Sequence, residues 1–211
     1  ELACMYSITS SMPAAILAGW HVIMSCRYGD SILPRARCSI LGEFVRSDCD
    51  KLLMVDDDVS WKAEHLTRIL NHEEDMVGGA YPKKNDKMEY PVLLLADQAP
   101  TIDKRGLVEV KGVPGGFLCI SKTCAERMVE HYSDRIYWDT ASEKDCWALW
   151  DFGFQPEGWH GEDYRFADRW RLMGGKVYCD AEIPLGHTGR KTWEGHFGNW
   201  LREQEKQKGA A

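Results

Sequence analysis

The sequence predicts a single α/β domain built on a mixed sheet with helices on both faces. In the first half, short apolar runs alternate with segments whose apolar residues recur every three or four positions, the pattern of strand–helix–strand units. In the second half, strand-like runs follow one another with turns between them, which predicts an antiparallel section. The 211 residues are 44% hydrophobic and 28% charged, which suits one folded domain and excludes a disordered or fibrous protein.

Apolar runs in the first half are predicted to be strands at 2–8, 21–26, Lys51–Val55 and 76–81. Apolar residues at helical spacing predict a helix in each of the intervals between them. Ser10 and Ser11 are the candidate cap of the first helix, with Pro13 in its opening turn, where a missing N–H costs nothing. Asp30 and Ser60 are the candidate caps of the other two. This alternating order is typical of a parallel sheet.

The second half is predicted to contain strands at 92–96, 107–110, Phe117–Ser121 and 176–179, and helices at 123–132, at 162–173 and after Trp193. Thr123 and Glu126 fit a capping box at the start of the first of these helices. Segment 136–160 is rich in aromatic residues and has little periodicity, so we predict a long functional loop there.

Charge and cysteine content restrict the function. The formal net charge is −7, and an acidic chain is a poor general nucleic-acid binder because phosphates need Lys and Arg. The eight cysteines show no zinc-site spacing, so we expect reduced thiols in a cytoplasmic protein. No apolar run reaches the roughly 18 residues of a transmembrane helix. Segment 14–24 lacks the basic flank of a signal peptide.

The acidic triplet Asp56-Asp57-Asp58 directly follows the apolar run Lys51–Val55. One Asp there is ordinary turn or cap chemistry, but three adjacent carboxylates repel one another. The carboxyl ends of strands are also where open α/β sheets bind ligands. Carboxylate oxygens suit Mg²⁺ or Mn²⁺. The triplet therefore predicts a divalent metal site, with turn chemistry as the alternative.

Two further motifs carry candidate chemistry. His187 lies between Gly186 and Gly189, and as a metal ligand its imidazole would favour Mn²⁺ over Mg²⁺; a purely structural histidine is the alternative. Glu162 and Asp163 open a predicted helix. The helix dipole alone favours acids at this position, and the functional alternative is a general base at the mouth of the site.

Gly115 and Gly116 interrupt the apolar segment around Val113 and Phe117. They fit either a hairpin turn or a place where a ligand approaches the backbone. Lys83 and Lys84 follow the predicted strand 76–81, either as a solvated face or as contacts to a phosphate or an acceptor.

In chain order, the motifs are an apolar strand with an acidic triplet, Gly-Gly-x-Tyr-Pro-x-Lys, Val-Pro-Gly-Gly-Phe, Gly-Glu-Asp-Tyr-x-Phe-x-Asp-Arg and Gly-His-x-Gly. This ordered set, over about residues 30–200, resembles GT-A-fold glycosyltransferases, most closely the small enzymes of this type from bacteriophage and related genomes. The resemblance implies a GT-A (Rossmann-like) fold. Its nucleotide-sugar half would span about 1–85, its acceptor half about 86–200 and a tail 201–211.

The resemblance also implies a nucleotide-sugar donor, a UDP-sugar by preference, with Mn²⁺ or Mg²⁺ on its diphosphate. Asp56 and Asp58 match the family's Asp-x-Asp motif and His187 its late histidine, so these are the expected metal ligands. Glu162 and Asp163 match the acidic pair beside the acceptor hydroxyl and are the expected catalytic residues. The expected donor contacts are Arg37, Asp56, Asp57, Gly115 and Gly116, although Cys38 stands next to Arg37 where relatives carry Asn.

The predicted activity is metal-dependent transfer of a sugar to a hydroxyl acceptor. One acceptor is hydroxymethylated pyrimidine in phage DNA, which would place the enzyme in the host cytoplasm. For this acceptor, a local groove would be lined by Lys83, Lys84, Lys87, Arg165, Arg169, Arg190 and Lys191. A glycan, a lipid-linked sugar and a protein are the alternative acceptors. A metal-dependent nucleotidyltransferase and a non-catalytic nucleotide-sugar-binding module are the alternative functions.

Overall fold

A computed structural model describes residues 1–96, 99–155 and 158–209. The helices are α1 (Leu2–Leu17), α2 (Leu33–Arg46), α3 (Ala63–Asn71), α4 (Lys122–His131), α5 (Glu162–Leu172) and α6 (Phe197–Gly209), with a 3₁₀ turn at Ser133–Arg135. The strands are β1 (Lys51–Val55), β2 (Val59–Ser60), β3 (Met76–Gly79), β4 (Leu93–Leu94), β5 (Leu107–Gly112), β6 (Phe117–Ser121), β7 (Ile136–Asp139), β8 (Lys144–Trp147), β9 (Gly153–Gln155), β10 (Gly158–His160), β11 (Val177–Asp180), β12 (Leu185–Thr188) and β13 (Thr192–Gly195).

The central sheet is mixed and has the strand order β1-β6-β3-β11-β5-β4. Strands β3 and β11 are parallel, whereas the other neighbouring pairs of this sheet are antiparallel. The mixed α/β class is confirmed, but the expectation of a parallel first half is wrong in detail. Strands β1 and β3 run in the same direction with β6 between them. Residues 117–120 of β6 are all buried, and a strand that is apolar on both faces needs neighbours on both sides.

Helices cover both faces of this sheet, as predicted. One core contains residues from α2, α4, α5 and α6, and the other contains residues from α1 and α3. Strand β6 shows the alternation that separates them: Leu118 and Ile120 belong to the first core, and Phe117 and Cys119 to the second. The sheet therefore separates two apolar cores, one on each of its faces. The ends of its strands lie between these two cores. No helix in the described ranges is long and apolar enough to cross a membrane.

The N-terminal prediction is wrong, because residues 2–17 form one helix rather than a strand followed by a short helix. Pro13 lies inside this helix and not in its first turn. The buried residues are small and spaced by three or four positions: Cys4, Ser7, Ser11 and Ala15. Short apolar runs fit a strand or a helix equally well. In this segment the small residues, and not the large apolar ones, mark the buried face of the helix.

Two further predictions differ from the structure. Segment 21–26 has no regular structure and pairs with no strand. Its Ser25 and the following Arg27 donate side-chain hydrogen bonds to Glu43 of α2 at 2.9 and 2.7 Å. Segment 136–160 is not one loop. It contains two antiparallel strand pairs, β7–β8 and β9–β10. In the first pair the polar Asp139 is buried and accepts hydrogen bonds from Ser142, which interrupts the apolar pattern of that strand.

The predicted helices α2 to α5 are all present, with differences at their starts. Helix α3 begins after Lys62, and Ser60 lies in β2. Helix α4 is capped by Ser121, whose hydroxyl accepts the Cys124 N–H at 3.0 Å, rather than by Thr123. The predicted strands of the sheet are likewise present, although β4 and β3 are shorter than expected.

Candidate active site

The three aspartates after β1 point to different partners. The backbone N–H of Asp56 donates to the Gly116 carbonyl at 3.0 Å, which continues the β1–β6 pairing. Asp57 is 91% exposed, and its carboxylate lies 3.8 Å from the terminal amine of Glu1. The Asp58 carbonyl accepts the Thr188 N–H at 2.8 Å. The side chains of Asp56 and Asp58 pair with separate cations, Arg37 and Lys84, which offsets the mutual repulsion expected of the triplet.

Asp58 and His187 come together, as the metal-site hypothesis expects. Nε2 of His187 lies 3.6 Å from Oδ2 of Asp58, because β12 pairs with β2 directly after the triplet. Lys84 also contacts Asp58, with Nζ at 2.5 Å from Oδ2. The His187 ring, together with the Lys84 ammonium, outweighs partial burial and lowers the pKa of Asp58 to about 2. Asp58 is therefore a carboxylate at neutral pH.

The orientation of His187 suits a metal ligand. Its Nδ1 lies 2.8 Å from the Pro82 carbonyl oxygen, a contact that favours the tautomer with the proton on Nδ1. Nε2 then faces Asp58. A carboxylate oxygen beside an imidazole nitrogen whose ring is oriented by a carbonyl is a donor set that fits Mn²⁺. Within the described ranges, no set of three or more His, Cys, Asp and Glu side chains is arranged to hold a metal.

Asp56, the other predicted ligand, faces Arg37. Nη2 of Arg37 lies 2.9 and 3.0 Å from the two carboxylate oxygens of Asp56, and Nη1 lies 3.2 Å from Oε1 of Glu162. The second contact is an ion pair without hydrogen-bond geometry. The Arg37 side chain is only 5% exposed and lies over the Trp150 ring, 5.2 Å from its centroid. Arg37 thus joins the end of β1 to the start of α5 from a buried position.

Gly115 and Gly116 provide space for this ion pair. A Cβ on Gly115 would lie 1.9 Å from Nη1 of Arg37, and one on Gly116 would lie 2.7 Å from Oδ2 of Asp56 and from the Tyr81 hydroxyl. Neither glycine has a positive φ, so a turn conformation does not require them. Strands β5 and β6 are not neighbours in the sheet, so the two glycines do not form a hairpin turn. The groups that approach them closely belong to the protein itself, and approach of a ligand stays a prediction.

Glu162 and Asp163 lie at the start of α5 in different environments. Glu162 is paired with Arg37. Asp163 accepts the N–H of Gly115 at 3.4 Å and that of Tyr164 at 2.8 Å. Burial and the adjacent negative charge of Glu162 raise the pKa of Asp163. A carboxyl group with a raised pKa is suited to accept and release a proton.

Most of the basic residues predicted to line a DNA groove are paired with acids. Lys83 and Lys87 contact Glu89, Lys84 contacts Asp58, and Lys191 contacts Asp86. Arg165 and the buried Arg169 both contact Asp151. Lys83, Lys84 and Lys87 lie in the loop after Pro82, which Lys191 reaches from between β12 and β13, and the two arginines lie on α5. Carboxylates therefore occupy the positive charges that phosphate contacts would need.

Tyr81 is a site residue that the sequence reasoning did not select. Its hydroxyl accepts the Gly116 N–H at 3.3 Å, and its ring lies 4.6 Å from that of His187. It therefore touches both the Asp56 side and the Asp58 side of the site. Its place in Gly-Gly-x-Tyr-Pro-x-Lys is a usable signal, because Tyr-Pro follows the buried strand β3 after a single residue.

No family model matches the chain, and no curated protein sequence is similar to it. Among solved structures, the chain is similar to A197 from STIV, with 19% identity and a TM-score of 0.48. The alignment covers 85% of this chain and 78% of that one. Nothing about activity follows from a similarity at this level.

Proposed function

We propose that the protein is a metal-dependent glycosyltransferase of GT-A type that moves a sugar from a nucleotide-sugar to a hydroxyl acceptor. The observation that carries the proposal is the pair formed by Asp58 and His187, in which Nε2 lies 3.6 Å from a carboxylate oxygen while Nδ1 contacts the Pro82 carbonyl. The acids Glu162 and Asp163 are linked to the same region through Arg37. The ordered motifs that resemble such enzymes agree with this arrangement.

On the donor side, Asp58 and His187 would hold Mn²⁺ or Mg²⁺. When bound, the cation supplies charge neutralisation on the diphosphate leaving group. Asp56 is held by Arg37 and orients this strand end through its buried ion pair. Asp57 is solvent-exposed and free to face a bound sugar.

On the acceptor side, Asp163 would accept the proton of the acceptor hydroxyl as its oxygen attacks the sugar. Its raised pKa fits this role, and Glu162 is already paired with Arg37. Glu162 therefore acts as a positioning residue. The pairing of six basic residues with carboxylates favours a glycan, a lipid-linked sugar or a protein over DNA as the acceptor.

The test is release of UDP from a panel of UDP-sugars, measured with and without Mn²⁺ and a mixture of hydroxyl acceptors. We expect Mn²⁺-dependent UDP release that is lost in Asp58→Asn and His187→Ala. Asp134→Asn, which removes an exposed carboxylate on the 3₁₀ turn, is the matched control and should keep full activity. Pyrophosphate release would indicate a nucleotidyltransferase instead. Metal-dependent nucleotide-sugar binding without any turnover would indicate a binding module.

A further inference from the structure

The strand that carries His187 fixes its backbone but not its ring. Strand β12 is paired on both sides, and the register partners of His187 are Val59 of β2 and Trp193 of β13. Strand pairing leaves the side-chain torsions of the imidazole free to take other rotamers. The rotamer alone decides whether Nε2 faces Asp58, from which it lies 3.6 Å. The orientation of the ring must therefore come from the groups that touch it.

Two consecutive residues, Tyr81 and Pro82, contact the His187 ring from different directions. The Tyr81 ring lies against the imidazole, with 4.6 Å between the ring centroids and 55° between the ring planes. The Pro82 carbonyl oxygen lies 2.8 Å from Nδ1, at the edge of the same imidazole. Because a carbonyl can only accept a hydrogen bond, Nδ1 carries the donated proton. The first contact limits tilting of the imidazole, and the second limits its rotation.

The backbone of this dipeptide has little freedom because of its own sequence. A proline ring fixes the φ of its residue at about −65°, and the residue before a proline is restricted to extended conformations. Tyr81 and Pro82 are both buried, and they follow β3, which lies between β6 and β11 in the central sheet. A restricted, buried segment can hold a neighbouring side chain in one orientation.

The Tyr81 side chain is itself held in place at its far end. Its hydroxyl accepts the Gly116 N–H at 3.3 Å, and a Cβ on Gly116 would lie only 2.7 Å from that hydroxyl. The ring belongs to the core that also contains residues of α1 and α3, so it is packed as well as hydrogen-bonded. Tyr81 is therefore fixed between Gly116 and His187.

We propose that Tyr81 is a positioning residue for the candidate metal ligand His187, and that its ring holds the imidazole so that Nε2 faces Asp58. This role rests on the proposed function, in which Asp58 and His187 hold the cation. Groups that orient a ligating histidine contribute to metal affinity, and their loss lowers that affinity by about 10- to 100-fold. The ring of Tyr81 carries the role, and not its hydroxyl, because the ring is the part that lies against His187.

The experiment is calorimetric titration of the purified protein with Mn²⁺ alone, without donor or acceptor. Tyr81→Leu removes the ring and should weaken Mn²⁺ binding by about 10- to 100-fold. Tyr81→Phe keeps the ring and should bind Mn²⁺ as wild type does, although the unpaired Gly116 N–H should lower its thermal stability. Tyr90→Leu is the matched control, because Tyr90 is equally buried, at 7% exposed against 8% for Tyr81, but lies in the other core. It should bind Mn²⁺ as wild type does.

Nuclear magnetic resonance of protein with ¹⁵N-labelled histidine tests the ring orientation without metal. The His187 signals are assigned by their absence in His187→Ala and observed at about pH 8.5, well above the ordinary histidine pKa of about 6.5. Wild type and Tyr81→Phe should carry the proton on Nδ1, as the Pro82 contact requires. Tyr81→Leu should show a mixture of both tautomers. Pro82→Gly keeps the Tyr81 ring but frees the backbone, and it should give the same mixture if Tyr81→Leu does not fold.

Wild-type Mn²⁺ affinity in Tyr81→Leu overturns the positioning role, and so does a Tyr81→Leu protein in which the proton stays on Nδ1. Equal losses of affinity in Tyr81→Leu and in either Tyr81→Phe or Tyr90→Leu would also overturn it, because affinity would then follow stability and not the ring contact. A wild type that binds no Mn²⁺ counts against the proposed function instead. The tautomer measurement then decides separately whether Tyr81 positions His187.

Discussion

Nη2 of Arg37 lies within hydrogen-bond distance of both carboxylate oxygens of Asp56, at 2.9 and 3.0 Å. The guanidinium comes from α2 and the carboxylate from the end of β1, and both are covered by Gly115 and Gly116. The other terminal nitrogen of Arg37, Nη1, forms an ion pair with Glu162 of α5. One buried cation therefore holds together three elements that carry the candidate site.

Removing the Arg37 cation should destabilise the fold. Arg37→Met leaves Asp56 and Glu162 partly buried without a positive partner, and breaking a buried pair on one side costs about 3 kcal/mol or more. Arg37→Lys should recover only part of this loss, because an ammonium cannot contact both carboxylates with the geometry of a guanidinium. The measurement is the free energy of unfolding from urea denaturation.

The control is Arg27→Met, which breaks the more exposed pair of Arg27 with Glu43. A loss below about 1 kcal/mol is expected there. If Arg37→Met and Arg27→Met cost the same, Arg37 does not organise the site.

Replacing Gly115 or Gly116, which lie over the Arg37–Asp56 ion pair, by alanine should also destabilise the fold. Gly115→Ala places a Cβ at 1.9 Å from Arg37, and overpacking of this kind costs about 2 kcal/mol or more. Gly153→Ala is the matched control, because its Cβ would meet no atom within 4 Å. Thermal melting of the two variants gives the comparison. Equal melting temperatures would mean that the loop of Gly115 moves away at little cost.

The spacing of apolar residues correctly predicts those helices and strands whose large apolar side chains face a core. Helix α2 and strand β1 are examples, and both lie where the sequence predicted them. Periodicity failed at α1, because small residues line its buried face while leucine and tyrosine face solvent. It also failed to place β6 between β1 and β3. Strand order depends on long-range pairing, and no local pattern encodes that.

The sequence predicts those parts of the site whose residues each belong to a short, recognisable motif. The approach of Asp58 to His187 was expected from the acidic triplet and the glycine-flanked histidine, and the structure has it at 3.6 Å. The pairing of Asp56 with Arg37 was not expected, because it joins two elements through a buried contact. Sequence alone assigns the basic residues to solvent or to DNA. For Lys84, Lys191 and the two arginines of α5, the paired carboxylate lies in another part of the chain.

The buried carboxylate of Asp180 should make stability depend on acid pH. Burial raises its pKa, but hydrogen bonds from His72 and Arg68, at 2.7 and 2.6 Å, outweigh burial and hold the pKa below its ordinary value. A lowered folded-state pKa contributes stability that is present above the unfolded pKa of about 3.9. That stability is lost as the pH falls through the folded-state value.

Asp180→Asn should therefore cost about 3 kcal/mol at pH 7, because it leaves the charge of Arg68 uncompensated against a buried site. It should also flatten the decline in stability between pH 4 and pH 2. Urea denaturation at several pH values measures both effects. Asp86→Asn, at an exposed carboxylate, serves as the control and should leave the free energy of unfolding unchanged. A variant profile parallel to wild type below pH 4 would rule out Asp180 as the source.

The acidic pair on α5 should divide into a base and a positioning residue. Asp163→Asn removes the proton acceptor and should lower kcat by about 10² to 10⁴ with little change in donor binding. Activity of the wild type needs ionised Asp163, so the rate should fall as the pH drops through its raised pKa. Because the raised pKa makes the ionised form unfavourable in the folded state, Asp163→Asn should hold or raise thermal stability at pH 7.

Glu162→Gln separates the two roles, because the pKa of Asp163 is raised by burial and also by the charge of Glu162. Removing that charge should lower the pKa of Asp163 and move the acid limb of the kcat profile to lower pH. Loss of the Arg37 contact should reduce kcat less than Asp163→Asn does. An acid limb that stays in place in Glu162→Gln would show that Asp163 is not the titrating base. A larger loss of kcat in Glu162→Gln than in Asp163→Asn would exchange the two assignments, since the base is the residue whose proton transfer limits the rate.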